Sequence, residues 1–142
     1  TELGVGSFSQ LLTERVTVNR TNVNLEKRKE KWNQIAKGAC AQCGENWIPE
    51  ITEPLKIEDW SKAINSDIKI VLYPEAEIML SEIEIKDSIS IAIGPEGDFT
   101  EEEIRSLKED GFIPVTIGPR ILRAETAAIS VISALRYGAK EF

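Results

Sequence analysis

Histidine is absent from the 142 residues, and only two cysteines occur. Without histidine there is no Ser-His-Asp triad, no Cys-His nucleophile pair and no zincin helix. No apolar run approaches the ~20 residues that a membrane helix requires, and no signal-peptide pattern is visible. The P-loop pattern is missing too. Gly4-Val5-Gly6 lacks both the third glycine and the preceding strand of a dinucleotide fingerprint. Basic residues are outnumbered, 17 against 24 acidic ones, for a formal net charge of −7. That balance argues against a free-standing nucleic-acid binder, because neutralising phosphates takes clustered Lys and Arg.

The cations that are present are unevenly spread. Arg15, Arg20, Lys27, Arg28, Lys29 and Lys31 fall in the first quarter, whereas residues 96–110 are mostly acidic. Any RNA contact is expected from that first quarter, from Arg120 and Arg123, or from a domain outside this sequence. Residue 1 is Thr, and Thr1-Glu2-Leu3 reads as mid-element sequence, so the chain is expected to be a piece of something longer. Its length suits one domain over 1–142, and 42% hydrophobic residues can supply a real core.

Cys40-Ala41-Gln42-Cys43 has the spacing of a redox or zinc-knuckle motif, but the second ligand pair of a structural zinc is missing. Trp32, Ile35, Ala36, Ala39, Cys40 and Cys43 recur at helical spacing. Both thiols are therefore expected on one apolar helix face, as core rather than as metal ligands. No metal site is expected, and reduced, buried thiols fit the cytoplasm.

Residues 7–18 alternate enough to suggest a strand, 25–43 form the amphipathic helix, and 47–51 read as a short strand after the Gly44 stop. A short helix is expected over 57–64. The pattern then becomes regular. Apolar runs at 68–73, 88–93 and 113–117 end at Pro74, Gly94-Pro95 and Gly118-Pro119. A helix over 101–108 separates the last two runs, and a closing helix spans 124–137. Nearly all-apolar strands alternating with helices predict an α/β domain with a parallel sheet covered on both faces.

Two of the strand-ending turns share the tripeptide Ile-Gly-Pro, at 93–95 and 117–119. Open parallel sheets bind ligands beyond the carboxyl ends of their strands. Glycine lets a backbone approach a ligand closely and proline fixes the turn, which suits a ring read by backbone amides and carbonyls, such as adenine. Thr100 and Glu103 have capping-box spacing, so a helix starts at 101 with three acids in its first turn. Those acids complement the helix dipole and repel phosphate, favouring a nucleotide without phosphates. After the second turn, Arg120 and Arg123 precede an Ala-rich helix. They either meet an anion there or cover the sheet edge and pair with Glu125.

Ile93-Gly94-Pro95-Glu96-Gly97, followed by Ile117-Gly118-Pro119-Arg120-Ile121-Leu122-Arg123-Ala124-Glu125-Thr126-Ala127, resembles the paired signature of RsmE-like methyltransferases of the knotted SPOUT superfamily. Thr1-Glu2-Leu3-Gly4-Val5, Gln42-Cys43-Gly44 and Pro49-Glu50-Ile51 match the family's earlier motifs in order. The resemblance implies a SPOUT-type parallel sheet with a C-terminal trefoil knot, a homodimer, and methylation of uridine N3 in small-subunit ribosomal RNA. It also implies S-adenosylmethionine held by Leu72, Tyr73, Ile93, Gly94, Pro95, Glu96, Gly97, Ile117, Gly118, Ile121, Leu122, Arg123, Glu125, Thr126 and Ala127. A homodimer is further suggested by the closing helix, whose Ile129, Val131, Ile132 and Leu135 give it more apolar faces than one side of a sheet needs. The small PUA-like barrel that precedes this domain in the family is not in the sequence.

Uridine N3 carries a proton, so a cation near O2 or O4 would stabilise the anion left when it departs. Arg123 is the candidate, with Arg15 or a residue near Glu2 of a second copy as second choices; without histidine a base would have to be a carboxylate or water, and Glu125 is the nearby carboxylate. Three departures stand out: Asp98 where the family usually has glycine, Ala41 where it has Glu, and Glu45 where it has Arg. Two other readings share the fold class, a transfer-RNA ribose 2'-O-methyltransferase and a non-catalytic nucleotide-binding module.

Overall fold

The computed structural model describes residues 1–15 and 25–141, so Arg20 and the end of the expected 7–18 strand lie outside the described residues. The chain forms two compact units: Thr1–Leu12 with the described part of Thr17–Lys56, and the described part of Thr13–Val16 with that of Ile57–Phe142.

The first unit is built on α1, Leu25–Cys43, and two short parallel ladders. Strand β1, Ser7–Phe8, pairs with β3, Glu50–Ile51; β2, Leu11–Leu12, pairs with β4, Leu55–Lys56. The expected strand over 7–18 is thus two separate two-residue strands in its described part, and the one expected over 47–51 shortens to Glu50–Ile51. Helix α1 runs over the expected residues, but its buried stripe is narrow. Ala36 and Cys40 are buried, Ile35 is 60% exposed, and Cys43 is exposed rather than in the core. The small side chains of Ala36 and Cys40, one turn apart, are what packs. Cys43, at the last helical position, has passed beyond that contact and turns its thiol back toward the Cys40 carbonyl. The Cys40 thiol instead donates to the Trp47 carbonyl at 3.1 Å.

The second unit holds a four-stranded, wholly parallel sheet in the order β6-β8-β5-β7. Its strands are β5, Ile68–Leu72; β6, Ile78–Met79; β7, Ile89–Ala92; and β8, Ile113–Thr116. Successive side chains alternate between faces. Ile70, Leu72 and Val115 pack with Ala127, Val131 and Leu135 of α4, Ala124–Gly138. Val71, fully buried and pointing the other way, belongs to the opposite face, where α2, Ile57–Ala63, meets α3, Glu101–Glu109. Trp60 and Phe112 meet there with ring centroids 5.2 Å apart and planes tilted by 39°. Burial on both faces is why these strands read as almost unbroken apolar runs. Beneath α2, the buried Ser61 hydroxyl donates to Asp110, the residue that closes α3.

Helix α3 starts as its sequence dictates. Thr100 Oγ1 accepts from the Glu103 backbone N–H at 3.2 Å, and Glu103 Oε2 accepts from the Thr100 N–H at 2.8 Å. Glu103 is buried and satisfied a second time, because its Oε1 accepts from the Glu14 N–H at 2.9 Å. One carboxylate therefore ties the start of α3 to the segment that carries Arg15.

Candidate cofactor-binding site

The carboxyl ends of β5, β7 and β8 open into a crevice of about 270 Å³ within the second unit. That is just under the ~300–1,000 Å³ common for small-molecule sites, a size for a ligand no larger than a nucleoside derivative. Its apolar walls are Leu72, Ile93, Val115, Ile117, Leu122 and Ala127. Tyr73 and Thr116 add hydroxyls, and Glu96, Asp98, Arg120 and Arg123 add charge. Twelve of the residues expected from the sequence come together here: Leu72, Tyr73, Ile93, Gly94, Pro95, Glu96, Ile117, Gly118, Ile121, Leu122, Arg123 and Ala127.

Glu125 and Thr126 do not join them. They are exposed on the first turn of α4, where residues step round the helix by about 100°, so Ala124 and Ala127 share the crevice face and the two between turn away. Gly97 and Arg15 also stay outside the lining. The Arg15 guanidinium supports the loop instead: its Nη1 donates to the Gly97 carbonyl at 2.6 Å and makes a longer contact to the Phe99 carbonyl at 3.4 Å. Pro74, Asp98, Val115, Thr116, Arg120 and Ala124 line the crevice although the sequence-based site did not include them. Most flank expected positions on the same strand ends, and that adjacency was the available signal.

The two Ile-Gly-Pro turns are held differently. In the first, the Asp98 N–H donates to the Pro95 carbonyl at 2.8 Å, and Asp98 Oδ1 accepts from the Phe99 N–H at 2.8 Å. A side chain on Gly94 would have its Cβ 2.7 Å from Asp98 Oδ1 and 3.3 Å from both Asp98 Cα and Phe99 N. In the second, Thr116 Oγ1 donates to the Gly118 carbonyl at 3.1 Å and accepts from the Gly118 N–H at 3.3 Å. Gly118 has φ +123°, which L side chains rarely adopt.

Arg123 is the N-cap of α4, extended at φ −64° and ψ 151°, and its side chain caps nothing. Among the described residues neither Arg123 nor Arg120 forms an ion pair, and both are exposed. Pairing of Arg123 with Glu125 is therefore not what the guanidinium does here. Also in the lining, the Tyr73 hydroxyl donates to Glu75 Oε2 at 3.0 Å. That bond, burial, and the charges of Glu75, Glu101 and Asp98 push the phenol above its usual 10.0. Tyr73 thus remains protonated at neutral pH. With its folded pKa raised, its contribution to stability is complete below pH 10 and is lost as the pH climbs through the higher folded value.

The RNA methyltransferase domain family model matches residues 1–136. The chain belongs to that family. Among curated relatives, the ribosomal RNA small subunit methyltransferase E of Buchnera aphidicola subsp. Schizaphis graminum is 39% identical over 137 residues, covering 95% of this chain and 56% of that protein. The protein of the same name from Bacillus subtilis is 31% identical, covering 96% and 57%. Two solved family structures superpose closely. A Legionella pneumophila protein in complex with bound SAM has a TM-score of 0.90 at 37% identity, covering 96% of this chain and 57% of that one. The Neisseria gonorrhoeae ribosomal RNA small subunit methyltransferase E, bound to S-adenosyl methionine, has a TM-score of 0.87 at 32% identity, covering 96% and 56%. This chain thus spans a little over half the length of each of these four relatives.

Proposed function

We propose that this chain is the cofactor-binding and catalytic part of an S-adenosylmethionine-dependent methyltransferase that modifies N3 of a uridine in small-subunit ribosomal RNA. The observation that carries the reading is the crevice at the ends of β5, β7 and β8, which gathers both Ile-Gly-Pro turns and sets two unpaired arginines at one opening. The names of its relatives support the substrate. Its apolar walls, with acids rather than a phosphate cradle beside them, fit a nucleoside cofactor without phosphates. The residues that would hold it are Leu72, Tyr73, Ile93–Glu96, Ile117, Gly118, Ile121, Leu122, Ala124 and Ala127. When bound, it supplies a methyl group made electrophilic by a sulfonium.

The protein's own part is alignment and charge. Arg123 would set its guanidinium against the uridine oxygens while the N3 proton passes to water or a carboxylate, so the imide anion forms in a favourable field. Arg15, second choice from the sequence, would instead keep the 94–98 loop in shape. Glu125, exposed on α4, would face solvent. We read 1–142 as one catalytic domain because the family match runs through both units. We also infer the trefoil knot of the SPOUT resemblance, and placement in the cytoplasm with the RNA it would modify. Among the described residues no helix is long and apolar enough to cross a membrane, and no group of His, Cys, Asp or Glu could hold a metal.

The deciding experiment incubates the chain with small-subunit ribosomal RNA, and in parallel with transfer RNA, in the presence of labelled S-adenosylmethionine, then digests each RNA to nucleosides. Label in 3-methyluridine is the expected result. Label in a 2'-O-methyl nucleoside of transfer RNA would favour the ribose-methylating alternative, and cofactor binding without any transfer would leave a nucleotide-binding module. A crystal structure with the cofactor would test the knot and the contacts together.

A homodimer is proposed on the resemblance and on α4. Val131 and Leu135 face the sheet, but Ile129 is 61% exposed and Tyr137 77% exposed. A second copy would cover them. Light scattering at micromolar concentration is expected to give about twice the 15.8 kDa chain mass; the monomer mass would overturn the assignment.

A further inference from the structure

Four charged side chains line the crevice, and they are not equivalent. Glu96, Arg120 and Arg123 are exposed, so water and salt screen them, whereas Asp98 is half-buried. Asp98 is also fixed. Its backbone lies in the left-handed region at φ +58°, its N–H is bonded to the Pro95 carbonyl, and its Oδ1 is held by the Phe99 N–H. These restraints place the carboxylate over Gly94, at the end of β7. The turn itself does not need the charge. Glycine, usual here in the resembling family, adopts the same backbone more readily than Asp does. What Asp98 adds is one preorganised negative charge in the wall of the site.

We propose that Asp98 sets the preference between the two forms of the cofactor, favouring the cationic sulfonium over the neutral thioether left after methyl transfer. This rests on reading the crevice as the S-adenosylmethionine site. Transfer breaks the sulfur–methyl bond and returns its electron pair to sulfur, so the positive charge on sulfur disappears. The ammonium and carboxylate of the methionine part are the same before and after. The two ligands therefore differ by one methyl group and one positive charge, and a fixed, partly desolvated carboxylate is suited to detect the charge. The functional consequence is weaker product inhibition, at a given cofactor concentration, than glycine at this position would give.

Calorimetry on the whole chain, with S-adenosylmethionine and S-adenosylhomocysteine as ligands, tests the idea in Asp98→Asn and Asp98→Gly. Asparagine keeps the left-handed preference and an oxygen for the Phe99 N–H while removing the charge; glycine removes the side chain without straining the turn. Both variants are expected to lose roughly 5- to 10-fold in the affinity ratio of sulfonium over thioether, and the wild-type ratio is expected to shrink as salt rises. If both ligands bind and the ratio stays within about twofold in both variants, Asp98 is only a turn residue, and the reading of the crevice survives. If the wild-type chain binds neither ligand, the reading of the crevice fails and this inference fails with it.

Discussion

Arg123→Ala is expected to lower the single-turnover methylation rate by about 10²–10³-fold, equivalent to ~2.7–4 kcal/mol of barrier, while the affinity for the cofactor changes little. Arg123 sits at the N-cap of α4 with no capping bond and no ion pair among the described residues, so its removal costs the fold almost nothing. It lines the crevice at the helix end whose backbone dipole is positive, and both charges act in the same direction on a developing anion. Negative charge on the uridine oxygens is small in the ground state and grows as the proton leaves. On the proposed function the arginine would contribute most at the transition state, the condition for a change in rate rather than in binding. Arg123→Lys is expected to recover only part of the loss, because the planar fork of donors is gone. A fall in melting temperature with near-normal turnover in the folded fraction would assign the residue to structure instead.

Gly94→Val is expected to weaken cofactor binding by about 10- to 100-fold, from strain of ~1–3 kcal/mol. The added Cβ would meet Asp98 Oδ1 at 2.7 Å, and Asp98 cannot retreat without giving up its bonds to Pro95 and Phe99. The turn after β7 would open and the valine would enter the crevice mouth. Gly118→Val differs in cause, since nothing lies within 4 Å of its Cβ and the penalty comes from φ +123° alone. Calorimetric titration of both variants with S-adenosylmethionine, beside melting curves to separate folding from binding, is the check. Unchanged affinity in both would move the cofactor out of this crevice.

Those two glycines were legible in the sequence because each closes an apolar strand and is followed by proline. The ends of β5, β7 and β8 fell within about a residue of expectation, as did the bounds of α1, α3 and α4. Strands β4 and β6 were not foreseen, because two residues cannot establish a period. The expected strand over 7–18 failed for a related reason: alternation does not say where pairing stops. Cys43 was placed in the core by spacing alone, but a helix face is buried only as far as something covers it. At the site, sequence adjacency carried the walls, whereas helical geometry removed Glu125 and Thr126 from it. The bond from Arg15 to the Gly97 carbonyl spans 82 positions and has no signature in either segment. Asp98 stood out as a departure from the family motif, but that it lines the crevice in a left-handed conformation had to come from coordinates.

The strand order β6-β8-β5-β7 has a consequence for how the chain becomes a protein. Strand β8 is the last of the four to be synthesised, yet it lies between β5 and β6, bonded to both. Until residue 116 exists, these two earlier strands have no common partner, and the hydrogen-bonding edges that β8 will cover stand open. The sheet cannot grow by adding strands in order to one side; its centre is filled last, across a sequence separation that makes closure slow. A nascent or truncated chain lacking β8 is therefore an open-edged intermediate, exposed to pairing with strands from elsewhere, and the arrival of one short segment, Ile113–Thr116, removes that hazard and builds a wall of the crevice in the same step.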